Sequence, residues 1–453
     1  MKRITSRAIV CLFLSLMLFL GTCLIVYRFC KYSDKWVSYP ANRHLYTNGQ
    51  INSGRILDAN GTVLTHYNEG WRYLDDKFSR LSTIHAVGDP GGQIGTGALS
   101  VFAGDLNGYN MITGTGSNHS SNGRDLHLTI DTDVSAAAFK ALDGHVGLVG
   151  VYDYTTGKII CMVNSPAYDP RNPTESSKVD GAFINRFVSS KFTPGSIFKI
   201  VTTTAALEKL DDVDKRTFKC TGSREMDDGY KITCTRKHGT LNLEKALNES
   251  CNCAFGEMSV ELGSGVLKGY AEKAGLTSSY SINGIKTAKS TFDFSGGNKT
   301  DLAWSGIGQG KDLVNPCSMM VFCGAVASRG EAAYPQIIDH LSFTNGANLS
   351  EYEVQYTEEL INPETAQILT EYMRTDVLEN YGQSNFPGLK ICAKSGTAEV
   401  DKTKESNGWF TGFLNDVDHP LAFICLVEEG GYGAKSAGKV INTVLQEAIK
   451  KGY

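Results

Sequence analysis

The chain has 453 residues, of which 41% are hydrophobic and 10% aromatic, enough to bury a sizeable core in two or three domains. Its 44 Lys and Arg against 48 Asp and Glu leave a formal charge of −4, which argues against a nucleic-acid binder, because such domains carry a basic footprint. The 48 glycines are scattered and prolines number only 11, which excludes collagen-like and low-complexity disordered classes.

Lys2, Arg3 and Arg7 precede an apolar run from Ala8 to Tyr27, interrupted only by Ser15, Gly21 and Thr22. As a helix this run spans about 30 Å, the hydrocarbon thickness of a bilayer. It is longer than a signal-peptide core and lacks an A-x-A cleavage pattern, so an uncleaved anchor over residues 8–27 is expected, with 1–7 as a short cytoplasmic tail. Lipid attachment at Cys23 fits less well, since Thr22 stands where a smaller residue is needed. Arg28, Lys31 and Lys35 match the basic residues before the run, so charge alone does not orient it.

Ser33–Gln50 is polar and reads as extended. Ile51–Leu64 alternates apolar and polar residues around Asn60-Gly61, a hairpin signal. Gly104–Arg124, rich in Gly, Asn and Ser, reads as a loop. Leu126–Ile130 reads as a strand and Thr132–Leu142 as a helix. Val146–Asp153 and Lys158–Asn164 form two apolar strands joined at Thr155-Thr156-Gly157. A helical middle follows, then strands at Leu389–Val400, Gly408–Leu414 and Ala422–Glu428. A last helix, Ser436–Lys451, carries Val440, Val444, Leu445 and Ile449 on one face. Strands at both ends of a helical stretch predict an α+β fold, an antiparallel sheet covered by helices, over residues 144–453. Residues 28–143 form a smaller, partly β unit between anchor and sheet.

Three short motifs carry chemistry. In Thr193-Pro194-Gly195-Ser196-Ile197-Phe198-Lys199, the Pro-Gly turn opens a helix that places Ser196 and Lys199 on one face. A serine hydroxyl needs a neighbouring base to become a nucleophile, and a desolvated lysine can be that base. Alone, S-x-x-K recurs in many helices as a cap and a solvated lysine. Ser250-Cys251-Asn252 can line a cleft, its hydroxyl relaying a proton and its amide holding a peptide backbone; alone it reads as a polar loop. Lys394-Ser395-Gly396-Thr397 lies in a β-like run, where Gly396 permits a close approach to the backbone. Alternation directs Lys394 and Gly396 to one face of that strand and Ser395 and Thr397 to the other.

Of twelve cysteines, none forms a CxxC pair with partner histidine spacing, so no zinc site is predicted. Cys220 and Cys234 bracket a polar segment and read equally as a disulfide or as two buried thiols. Cys251 is expected to point into the core.

Taken in order, the three motifs resemble those of class B penicillin-binding proteins, which are peptidoglycan D,D-transpeptidases. Gly54–Leu64 is similar to that family's juxtamembrane segment, departing at Ser53 where arginine is usual. His238-Gly239, Gly306–Gly310 and Gly408–Phe413 match further family signatures. The resemblance implies a penicillin-binding, serine β-lactamase-like domain with a five-stranded sheet, standing on an N-terminal pedestal. It implies that Ser196 forms an acyl-enzyme and Lys199 takes its proton. Ser250 would pass a proton to the leaving D-Ala, and Asn252 would hold the donor peptide. Lys394, Ser395 and Thr397 would bind the terminal carboxylate beside Gly396. No cofactor is implied. The implied partners are stem peptides ending in D-Ala-D-Ala, an acceptor amine, β-lactams, and a membrane-embedded glycosyltransferase of the shape, elongation, division or sporulation type. Residues 28–143 hold one glutamate, Glu69, which argues against a glycosyltransferase domain in this chain. The alternatives are a D,D-carboxypeptidase or β-lactamase at the same site, and a non-catalytic penicillin sensor or scaffold.

Overall fold

A computed structural model describes residues 2–37, 54–68, 70–108, 123–225, 229, 231–294, 298–400 and 403–453. The N-terminal run is one helix, Lys2–Val37, and its stretch Ile4–Ser33 is long and apolar enough to cross a membrane. Leu12, Leu18 and Ile25 stand fully out from the protein, as a lipid-facing surface requires. The expected extended stretch therefore starts as helix, and the rest of Ser33–Gln50, with most of Gly104–Arg124, lies outside the described residues.

The larger sheet has five antiparallel strands in the order Ile391–Ala398, Asn407–Leu414, Leu421–Val427, Gly147–Asp153, Ile159–Ser165. Its strands read as continuous apolar runs because both faces are covered. Alternate residues divide between two cores: Leu148, Tyr152, Trp409 and Ile424 face one, and Val149, Val151, Phe410 and Phe423 face the other. The first core packs on the helices Lys199–Lys209 and Pro316–Ala327. The second packs on the terminal helix Ala437–Lys450 through Val440, Val444 and Leu445, the face expected from its spacing. Val134 and Ala138 of the helix Thr132–Ala141 join the same core. The expected boundary at 143/144 thus separates a helix from the sheet on which it packs.

A second, six-stranded sheet forms the N-terminal unit, in the order Asn348–Glu351, Ile338–Phe343, Arg124–Leu128, Ile56–Leu57, Val63–Tyr67, Trp71–Tyr73. The hairpin turns at Gly61 (φ 81°), and Asp58 Oδ1 accepts from the N–H groups of Asn60 and Thr62. Glycine is required at 54, where a Cβ would stand 1.7 Å from the Arg124 carbonyl oxygen. Arg55 next to it grips Asp125 with two guanidinium nitrogens. Two strands of this sheet come from residues 338–351, inside the stretch read as helical middle.

Candidate active site

The segment Pro194–Phe198 lies against the edge strand Ile391–Ala398. Gly195 takes φ 55°, and its N–H donates to the Gly308 carbonyl at 2.8 Å. A tight turn, Gly195–Phe198, then feeds the helix beginning at Lys199. Lys199 is fully buried, and its Nζ lies 3.1 Å from Ser196 Oγ. The same nitrogen is 2.7 Å from the Ser250 carbonyl, 2.7 Å from Asn252 Oδ1 and 3.1 Å from Ser250 Oγ. A neutral amine has two N–H donors and one lone pair. The two acceptors at 2.7 Å take both donors, which leaves the lone pair for a serine hydroxyl. Burial, then the positive charge of Lys394, lower the Lys199 pKa to about 7.

Ser250 owes its place to strained backbone. The helix Leu243–Asn248, capped by Asn242, ends in a turn that puts Ser250 at φ 51°, with its N–H on the Leu247 carbonyl. Asn252 starts the next helix and donates through Nδ2 to the Thr233 carbonyl at 2.8 Å, so its Oδ1 is fixed toward Lys199.

Lys394 and Ser395 do not separate as strand alternation suggested. Both reach the Tyr381 hydroxyl, Lys394 Nζ at 3.3 Å and Ser395 Oγ at 3.0 Å. The four-carbon lysine stem is long enough to turn back to it. That hydroxyl donates to Asp376 Oδ2 at 2.7 Å and accepts from the Ser395 N–H at 2.9 Å. Asp376 is fully buried, 3.5 Å from Lys394 Nζ. Burial lowers the Lys394 pKa and raises that of Asp376, while each charge favours the other. Asp376 and Tyr381 belong to no motif, and only the fold reveals them. A Cβ at Gly396 would meet Pro194 O, Ile197 Cγ2 and Trp409 Cβ, each at 3.1 Å. The close approach that glycine permits is therefore made by the protein's own Pro194–Ile197 segment.

Ser196, Ser250, Asn252, Lys394, Ser395 and Thr397 line one groove of about 770 Å³. Lys199 lies buried behind them, and Gly396 is held under the Pro194–Ile197 segment. All twelve cysteines are free, so Cys220 and Cys234 are not bridged. Cys251 is buried in the core, as expected, and there its Sγ lies 3.8 Å from Cys234 Sγ.

Residues 147–446 match the family model described as penicillin binding protein transpeptidase domain. The chain is 27% identical to the peptidoglycan D,D-transpeptidase PbpA of Mycolicibacterium smegmatis, over 73% of this chain and 73% of that one. It is 25% identical to stage V sporulation protein D of Bacillus subtilis, over 72% of this chain and 54% of the other. In structure it resembles penicillin-binding protein A of M. tuberculosis, solved as a ceftriaxone acyl-enzyme complex, with TM-score 0.76, 21% identity and coverage of 88% and 98%. The D,D-transpeptidase domain of a peptidoglycan glycosyltransferase from Eggerthella lenta aligns with TM-score 0.75 at 25% identity, over 88% and 98%. With a family model spanning most of the chain and the same fold in those neighbours, the chain belongs to the penicillin-binding protein transpeptidase family.

Proposed function

We propose that this chain is a membrane-anchored peptidoglycan D,D-transpeptidase that crosslinks stem peptides through an acyl-enzyme on Ser196. The observation that carries the reading is the fully buried Lys199 amine, 3.1 Å from Ser196 Oγ and held by two acceptors at 2.7 Å. Lys199 takes the Ser196 proton as Oγ attacks the carbonyl of the penultimate D-Ala. Backbone N–H groups of Ser196 and Thr397 stabilise the oxyanion, a contribution of about 3–4 kcal/mol per donor. Ser250 returns the proton to the departing D-Ala amine, and Asn252 holds the donor peptide. The terminal carboxylate is bound by Lys394, Ser395 and Thr397. An amine from a neighbouring stem then attacks the ester and frees Ser196. A β-lactam carries a similar acyl group and carboxylate, and is trapped at the ester stage.

The apolar helix Ile4–Ser33 is the single anchor in this reading, with residues 1–7 cytoplasmic and the groove outside, where stem peptides lie. Residues 28–143, completed by strands from 338–351, form the pedestal. The expected partner is a membrane-embedded glycosyltransferase supplying the glycan strands.

Mass spectrometry of the full-length protein in detergent with benzylpenicillin tests this. The expected result is an adduct on the peptide containing Ser196, stable for hours and absent from Ser196→Ala. Rapid loss of the adduct with release of penicilloate would indicate a hydrolase. An adduct persisting in Ser196→Ala would refute the nucleophile, and none in the wild type would point to a scaffold.

A further inference from the structure

Thiol groups gather beside the groove in a way that the acyl-transfer reading does not use. Cys220 ends the strand Phe218–Cys220, which pairs with Gly239–Leu241, so His238 lies alongside it. Cys234 follows the short strand Lys231–Thr233, and Cys251 caps the helix Asn252–Lys273. The three sulfurs and a ring nitrogen of His238 all lie within 4.8 Å of one another. Cys220 Sγ is 3.4 Å from His238 Nδ1, and Cys234 Sγ is 3.8 Å from Cys251 Sγ.

These two separations match edges of a metal-centred tetrahedron. Zinc bonds of about 2.3 Å to sulfur and about 2.0–2.1 Å to nitrogen place neighbouring ligands about 3.8 Å apart for two sulfurs and about 3.5 Å for sulfur and nitrogen. Three thiols and one imidazole, two of the four groups buried, form a closed donor set suited to a structural zinc ion. Three thiols converging on one point also exceed what a single disulfide would use. Sequence spacing hides the set because its members come from the end of one short strand, the residue following a second, the residue preceding a third, and a helix cap.

We infer that Cys220, Cys234, His238 and Cys251 form a zinc site that staples the wall of the active-site groove. Cys251 lies between Ser250 and Asn252, and Cys234 follows Thr233, whose carbonyl receives the Asn252 amide. One ion would thus tie together both sides of the hydrogen bond that aims Asn252 at Lys199. Its role is positional, and the acyl chemistry passes through the serines and lysines alone.

The test uses full-length protein in detergent, reconstituted with zinc under reducing conditions and freed of excess metal. One zinc per chain is expected by elemental mass spectrometry, in the wild type and equally in Ser196→Ala, so that the result does not depend on acyl transfer. Cys220→Ser and Cys251→Ser should each lose at least about tenfold in zinc affinity against a chromophoric chelator. Cys323→Ser, buried elsewhere in the core, should bind as the wild type does. Cobalt needs no variant: the wild type should show the strong visible absorption and sulfur-to-cobalt charge transfer of a tetrahedral thiolate site. Stripping the zinc should slow benzylpenicillin acylation about tenfold or more, and zinc should restore it. No retained zinc, a weak octahedral cobalt spectrum, or acylation indifferent to stripping would overturn the inference.

Discussion

Lys199 is fully buried, and burial first, then the charge of Lys394, bring its pKa from 10.5 down to about 7. At neutral pH an ordinary lysine is uncharged in about one molecule in 3,000, whereas one titrating near 7 is uncharged in about half, a difference worth about 5 kcal/mol. Only the neutral amine can accept the Ser196 proton. The second-order rate constant for benzylpenicillin acylation should therefore rise about tenfold per pH unit below 7 and level off above it. Stopped-flow acylation from pH 5 to 10 reads this directly. Lys199→Arg, which does not deprotonate in this range, should lose about 10²–10⁴-fold. Stability supplies a second readout. Between about pH 7 and 10.5 the unfolded chain binds a proton at Lys199 that the folded chain does not, so stability rises with pH across that window. Lys199→Met should lack that part of the slope. A rate that climbs steadily to pH 10, or an active Lys199→Arg, would refute the assignment of Lys199 as base.

Three other substitutions probe the groove wall. Lys394→Ala should slow acylation by carboxylate-bearing β-lactams more than by neutral analogues, and equal effects on both would dismiss its carboxylate role. Asp376→Asn leaves Lys394 buried without its counter-charge, and breaking such a pair destabilises by about 3–5 kcal/mol; an unchanged urea midpoint would show that the pair carries no stability. Gly396→Ala pushes against Pro194 O, Ile197 Cγ2 and Trp409 Cβ at 3.1 Å, and should cut acylation about 10²-fold by displacing Ser196 while the fold persists. Wild-type rates in that variant would mean that the segment yields freely.

The five-stranded sheet was legible because each strand is a compact apolar run ended by turn residues, and the observed bounds differ from the expected ones by a residue or two. The strands Ile338–Phe343 and Asn348–Glu351 were not. The second is exposed along its length, and an edge strand open to solvent needs no apolar alternation. The serines and lysines of the site stand in local motifs, so sequence could name them. Asp376 and Tyr381 act on Lys394 and Ser395 from a different element, and their contacts arise only when that element packs on the edge strand. The thiol cluster was missed for the same reason: its ligands are neighbours in space and not along the chain.

The six-stranded sheet also constrains the order in which this chain can fold. Its strand Arg124–Leu128 lies between Ile56–Leu57 on one side and Ile338–Phe343 on the other, with His127 bonded to Ser342 across 215 residues. A chain emerging from its N-terminus exposes one edge of that half-built sheet until residue 343 arrives. Domains usually fold as units, the first to emerge going first, but here the N-terminal unit must wait for a segment lying beyond Ser196. During that interval the open edge of Arg124–Leu128 is a template for wrong partners. The stacked His127–His340 pair, with rings 3.9 Å apart, marks where the late strand closes it.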